Sequence, residues 1–268
     1  MPKVVSSPDL LILTPAEMAV VFQHLLGPAA GEGGLLGDLN LSPPALEAAR
    51  ARLLERGLLR PAPNAALRKT FIAPGARAML DAVTRPLMLG VLQVMEPGQE
   101  ERGAYFSWTP DMLVFNSVDA YGNHRLEPLP SLEAVADRAL AASRLNDFKP
   151  APALLPASPD AVGQAASLRA VLMTVASART AHEQVHGLAW MLSAGRLWLM
   201  SSQGAAAPAA ARGTAKSASA LPKAASAARP PAEAGLRALL PADLRAAVLS
   251  AVQQAVAHTQ SALEAASA

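Results

Sequence analysis

The chain contains no cysteine. Disulfides, thiolate nucleophiles and Cys-based zinc or iron–sulfur centres are therefore excluded, and the redox compartment is left unspecified. Aromatic residues are scarce at 4% and charged residues at 16%, whereas hydrophobic residues reach 51% of the 268 positions, many of them Ala. The core must then be built from Leu, Val, Met and Ala, and the thinly charged surface leaves apolar area open to a partner. Long hydrophobic runs are also missing. No stretch approaches the roughly 18 apolar residues of a membrane span, and the LLIL patch near the start is too short for a signal-peptide core. These absences predict a cytoplasmic protein with no membrane partner. The net charge is only +2, and four basic residues, Arg212, Lys216, Lys223 and Arg229, fall in an acid-free tract. The patterned remainder is close to neutral, which lends little to a nucleic-acid role.

That tract, SSQGAAAPAAARGTAKSASALPKAASAARPPA over 201–232, has almost nothing to bury. It separates patterned segments from a last helix-like stretch, an arrangement suited to holding or binding something. The first helix is well signed. Thr14 can cap it, Pro15 opens it, Glu17 completes a capping box, and Leu13 can staple against Met18. It should run to about Leu26 and stop at Gly27, with Ala19, Phe22 and Leu26 in its buried stripe. A short element is expected around Leu35–Leu39. A second helix follows, with Ser42 as cap, Gly57 as terminator and Leu46, Ala49, Leu53 and Leu54 facing inward. LLRPAPNAALRKTFI reads as two short strands around a turn, and a third helix covers about Ala76–Thr84. Together these outline a winged helix.

From Pro86 the period changes to that of strands. LMLGVLQVM, AYFSWT, DMLVFNSV and HRLEPL form an antiparallel meander, and Ser131 caps a covering helix with Leu132, Val135, Ala136, Ala139 and Leu140 on one side. SLRAVLMTVASA is a further strand, and VHGLAWMLSAGRLWLMSS is a hairpin turning at Ser193–Arg196. Whether the two strand regions share a sheet is open. The expected class is α+β, divided as follows: a winged-helix-like helical unit (10–85), a meander plus helix (86–148), a Pro-rich connector (149–159), a strand and hairpin completing the sheet region (160–203), a low-complexity linker (204–232) and a C-terminal amphipathic helix (233–266). In that helix Pro241 is placed to start the turns, and Leu244, Val248, Val252, Ala255, Thr259 and Leu263 repeat at helical spacing. Leu244, Val248, Val252 and Leu263 are the candidate protein-binding residues. They dock either on the chain's own core or on another protein or second copy.

Three constellations invite a chemical reading. His182-Glu183-Gln184-Val185-His186 matches HExxH, which on a helix would place two imidazoles and a general base around zinc. Here the segment lies between strand-like runs, where residues four apart are about 13 Å apart, too far for one metal. No acid follows until Glu233. Arg50, Arg56, Arg68 and Lys69 would be the DNA-contacting set of a winged helix, although its second helix is poor in base-reading side chains. Tyr105, Trp108, Asp111, Phe115 and His124 read as core aromatics beside a turn, or as a catalytic cluster, but no nucleophile motif accompanies them. Gly31–Gly34, GEGG, lacks the GK[ST] ending of a phosphate loop. No cofactor and no metal site is expected.

LTPAEMAVVFQHLLG near the start, the alternation of helices and strands, and SAGRLWLM in the late hairpin carry a resemblance. Over residues 10–200 the order of elements resembles the EspG-type chaperones associated with type VII secretion. The resemblance implies a mixed sheet-and-helix body that binds secreted helical substrates. It rests on no diagnostic motif, transfers no functional residue, and does not extend to the tract or the last helix. The leading expectation is a non-enzymatic adaptor, chaperone or assembly factor that binds another protein. A winged-helix DNA-associated regulator is the second reading, and a zinc-dependent hydrolase using HEQVH the third.

Overall fold

The computed structural model describes residues 9–27, 41–61, 70–96, 98, 102–142, 169–177, 185–193, 196–200 and 236–267. The expected element at Leu35–Leu39, the 149–159 connector, the 204–232 tract and the GEGG segment lie outside them. The chain is α+β. Among the described residues nine strands form one antiparallel sheet in the order β1-β7-β6-β5-β4-β8-β9-β10-β11, so the two strand regions share a sheet; β2 and β3 make a separate hairpin. Two compact units are formed, one from the described parts of 1–86 and 107–128, the other from those of 87–106, 129–209 and 226–268.

The first unit begins with β1 (Leu11–Leu13), which lies against β7 (His124–Pro128) in the register Leu11↔Leu126. Helix α1 (Pro15–Leu26) starts at once because Thr14 and Glu17 form the expected capping box. The Glu17 amide donates to Thr14 Oγ1 at 3.2 Å, and the Thr14 amide donates to Glu17 Oε2 at 2.8 Å. Leu13 and Met18, the expected staple, are both fully buried. Gly27, at φ 103, ends the helix where a side chain would be strained. The buried arc of α1 is wider than the sequence stripe, because α2 (Pro43–Glu55) and α3 (Pro74–Thr84) both pack on it. Leu25 therefore turns inward and Leu26, expected inside, is exposed. In α2 the expected Ala49 and Leu53 are buried and Leu46 partly so, but Leu54 faces out. Gly57, at φ 69, turns the chain into β2 (Leu59–Pro61), which pairs with β3 (Thr70–Ile72). Helix α3 buries Met79, Leu80 and Val83 and packs on α1 and β6 (Met112–Val118).

One carboxylate joins this unit's helices. Glu17 is 2% exposed, and a carboxyl group taken out of water needs hydrogen-bond partners. Besides capping α1, its Oε1 accepts from Arg56 Nη1 at 3.1 Å and lies 3.6 Å from Arg52 Nε. Arg56 also donates through Nη2 to the Ile12 carbonyl at 2.8 Å, so the end of α2 is tied to α1 and β1 together.

In the second unit β4 (Met88–Met95) alternates strictly, burying Met88, Gly90 and Leu92. Gly90 is bare for a reason: a Cβ there would run into the ring of Phe106 on β5 (Arg102–Thr109). The fully buried phenyl fills the space that the glycine leaves. Strand β8 (Arg169–Ser177) pairs along all of β4, from Met88↔Ser177 to Met95↔Ala170. Strands β9 (Val185–Ser193) and β10 (Arg196–Met200) form the expected hairpin, closing at Ser193↔Arg196. β11 (Leu236–Leu239), which the periodicity did not indicate, adds to β10. Helix α5 (Pro241–Ser267) then starts at the expected proline, with Asp243 Oδ2 accepting from the Leu240 amide at 3.3 Å. It packs along α4 (Leu132–Ala142), where Val135, Ala136 and Ala139 are buried as expected, and over β8, β9 and β4.

Two outcomes follow for stability. Glu17→Ala loses a cap and takes the carboxylate away from Arg52 and Arg56, and should cost about 2–3 kcal/mol in a urea unfolding titration, with Glu17→Gln losing less. Gly90→Ala should cost about 1–3 kcal/mol through overpacking against Phe106, and a thermal midpoint equal to that of the parent would mean that the ring moves freely aside.

Candidate functional site

The alternation of the second unit's strands separates two sheet faces. One carries Met88 and Leu92 of β4, Val171, Met173 and Val175 of β8, Trp190 and Leu192 of β9, and Leu197 of β10, all buried. Register places Met173 beside Leu92, and Trp190 across from Val171. Helix α5 lies over these strands and buries Leu244, Val248, Val252, Ala255 and Thr259, while Arg245 Nε donates to Asp137 Oδ1 of α4 at 2.6 Å. The candidate binding residues Leu244, Val248 and Val252 are thus fully interior in this structure, and Leu263 is half-buried; the helix docks on its own core. A partner would meet the rest of the unit before it met that stripe.

The other face is different. Leu89, Val91 and Gln93 of β4, Leu172, Thr174 and Ala176 of β8, and Ala189 and Met191 of β9 are all half-buried. Cross-strand pairs Val91↔Thr174 and Leu172↔Ala189 make it continuous over three strands. Its described side chains carry no charge on β8 or β9, so a partner would remove few strongly hydrated groups from water by covering it. The strands were legible in sequence, but which of their two faces a helix covers was not. Only tertiary docking of α5 decides that.

Of the DNA-contacting set the described residues hold Arg50 and Arg56, both at α2. Arg50 is exposed on α2. Arg56 is committed to Glu17 and to the Ile12 carbonyl, and Arg68 and Lys69 lie outside the described residues. His24, on the last turn of α1, is held below its ordinary value by burial and then by the charges of Arg50 and Arg77. Arg77 itself is paired with Asp81 one turn along α3.

His186 sits in strand β9, which begins at Val185, rather than on a helical turn; His182, Glu183 and Gln184 lie outside the described residues. Among the described residues no group of three His, Asp or Glu side chains could hold a metal ion. Nor does the aromatic segment form a His–Asp pair with Asp111, which is exposed in the β5–β6 turn. His124 is buried at 5% exposure, and its Nδ1 lies 3.2 Å from Asn116 Nδ2 and 3.3 Å from Asn116 Oδ1. Burial holds its pKa below the ordinary 6.5, against the pull of Asp119. Asp119 instead organises the β6–β7 turn, accepting from the amides of Tyr121 and Asn123 at 2.8 and 2.9 Å. That set of contacts is a structural turn and a satisfied interior histidine.

Comparison with known proteins bears on the fold. No family model matches the chain, and no curated protein matches it. A solved structure does, that of the Mycobacterium tuberculosis type VII secretion system chaperone EspG5 in complex with the PE25-PPE41 dimer. The TM-score is 0.53 at 8% sequence identity, covering 91% of this chain and 95% of the other. The chain shares the fold of that chaperone. The match runs nearly end to end, farther than the 10–200 span over which the sequence carries the resemblance. Among the described residues no helix is long and apolar enough to cross a membrane.

His124 sets a pH dependence in the first unit. Its folded pKa lies below 6.5, so the unfolded chain takes up the proton first. The stability it contributes is full above the unfolded value and is lost as pH falls below it. The urea midpoint of the parent should drop between about pH 7.5 and 5.5, and His124→Gln should flatten part of that drop. Identical pH profiles for the two chains would show that His124 carries its charge readily inside the fold.

Proposed function

We propose that this chain is a non-enzymatic protein-binding adaptor or chaperone acting in the cytoplasm, and that it engages another protein through the half-buried apolar face of β4, β8 and β9. The observation that carries this reading is the contrast between the two faces of that sheet, one sealed by α5 and the other apolar and partly open to solvent. A contiguous face of this kind is the usual setting of a protein contact. The shared fold with a chaperone solved in complex with a protein dimer supports the same class of function. So does the satisfied state of His124 and Asp119, which leaves neither poised as a base for chemistry.

The reading is tested with the full chain as bait in lysate of its native cell, followed by reconstitution with the purified partner. Val91→Glu and Thr174→Glu put charges on the open face at cross-strand neighbours that are half-buried in the free protein. Together they should weaken binding by at least tenfold, about 1.4 kcal/mol, while leaving the circular dichroism unchanged. Undiminished binding by the folded double variant would remove the face from consideration. Recovery of nucleic acid alone, released by salt, would move the function to the basic side chains of α2.

A further inference from the structure

The C-terminal helix packs over β9, and each of the two carries a histidine, His258 lying near enough to act electrostatically on His186. His186 stands near the start of β9, opposite Val175, and shares a face with Trp190. His258 sits on α5 beside Ala255 and Thr259, which are both buried. Each ring is part-exposed as a residue, yet the Nε2 atom of each is buried and has no hydrogen-bond partner among the described residues. We propose that His186 and His258 form a proton-sensitive latch that holds α5 on the sheet at neutral pH and loosens it on acidification.

The chemistry of imidazole carries the argument. A neutral ring can keep its proton on Nδ1 and leave Nε2 as a bare lone pair, which tolerates a setting without donors. A protonated ring cannot, because both nitrogens become donors. Protonating either histidine therefore puts a charged N–H where no acceptor among the described residues faces it. His186 is accordingly held below the ordinary 6.5, first by burial and then by His258.

Carboxylates elsewhere on the packed elements do not relieve this. Helix α4 brings Glu133, Asp137 and Arg138, and α5 itself carries Asp243, Arg245 and Glu264; β4 ends next to Glu96. The described side chains of β8, Ala170 to Ala176, are uncharged. Asp137 is occupied by Arg245, and Glu133 by Ser131. The depression of His186 comes from burial first and His258 second. With the folded pKa depressed, the docking contribution is full above the unfolded value and is lost as pH falls through the folded one. Loosening α5 would uncover Val171, Met173 and Val175, the sealed face of β8.

Because His24 and His124 are also depressed, a global melting curve cannot isolate the latch. The measurement is amide hydrogen exchange of peptides from 241–267 in the full chain, corrected for intrinsic rates, at about pH 7.5 and 5.5, values that bracket an ordinary histidine. The parent should lose protection several-fold on acidification, and His258→Gln, which stays neutral, should lose much less. Equal losses in the two chains, or no loss in the parent, overturn the proposal. Should His258→Gln fail to fold, the ring of His186 in the parent is titrated by NMR. A midpoint below 6.5 that coincides with the loss of protection supports the latch; one at or above 6.5 overturns it.

Discussion

The lie of β8 along β4 is the constraint on which the second unit depends. More than seventy residues separate Met95 from Arg169, so closing that loop costs considerable chain entropy before any contact is gained. The return is a register that runs the full length of both strands and places Val171, Met173 and Val175 in the buried layer with Leu92 and Met88. β8 gives the β9–β10 hairpin an edge to join, β11 adds to β10, and α5 needs the finished surface to cover. Gly90 and Phe106 serve the same end at the other edge of β4, where the phenyl ring lies over a bare backbone.

The same dependence explains why the two faces of that sheet differ. A helix as poor in large side chains as α5 is marginal alone and gains its stability from the surface beneath it. Leu244, Val248 and Val252 supply the contact, and small residues such as Ala251 and Ala255 let the helix sit close. Having spent its apolar stripe on its own sheet, α5 has little left to offer a partner, and the unsealed side of β4, β8 and β9 is the larger apolar resource. The two sides of one layer thus differ in how far the protein's own helix covers them.

Much of this was legible in sequence where local chemistry dictates local structure. Thr14, Pro15 and Glu17 announced α1, Ser42 and Gly57 bracketed α2, and the Ser193–Arg196 turn was correctly placed. The misses are tertiary. Leu26 and Leu54 have helical spacing suited to burial, but the arc covered by neighbouring helices stops short of them. β1 and β11 are three and four residues long, too short to show a period, and exist because a longer strand offers them an edge. Arg56 reads in sequence as a candidate DNA contact, and the fold brings Glu17 and the Ile12 carbonyl to it. His258 gave no signal beyond its place one residue before Thr259, and acquires meaning only from His186, 72 positions earlier.

Arg56 has one more effect. Ile12 is the middle residue of β1, the outermost strand on that margin of the sheet, and its side chain is nearly half exposed. An open strand of this sort is a template on which a neighbouring molecule can lay its own backbone, the first step toward fibrous aggregation. The guanidinium that satisfies the Ile12 carbonyl also stoppers that template. At the opposite margin β11 is only four residues long and carries an exposed Arg237, so bulk and charge do there what a hydrogen bond does at β1. Among the described residues each margin of the sheet thus carries a group that hinders pairing with a further strand.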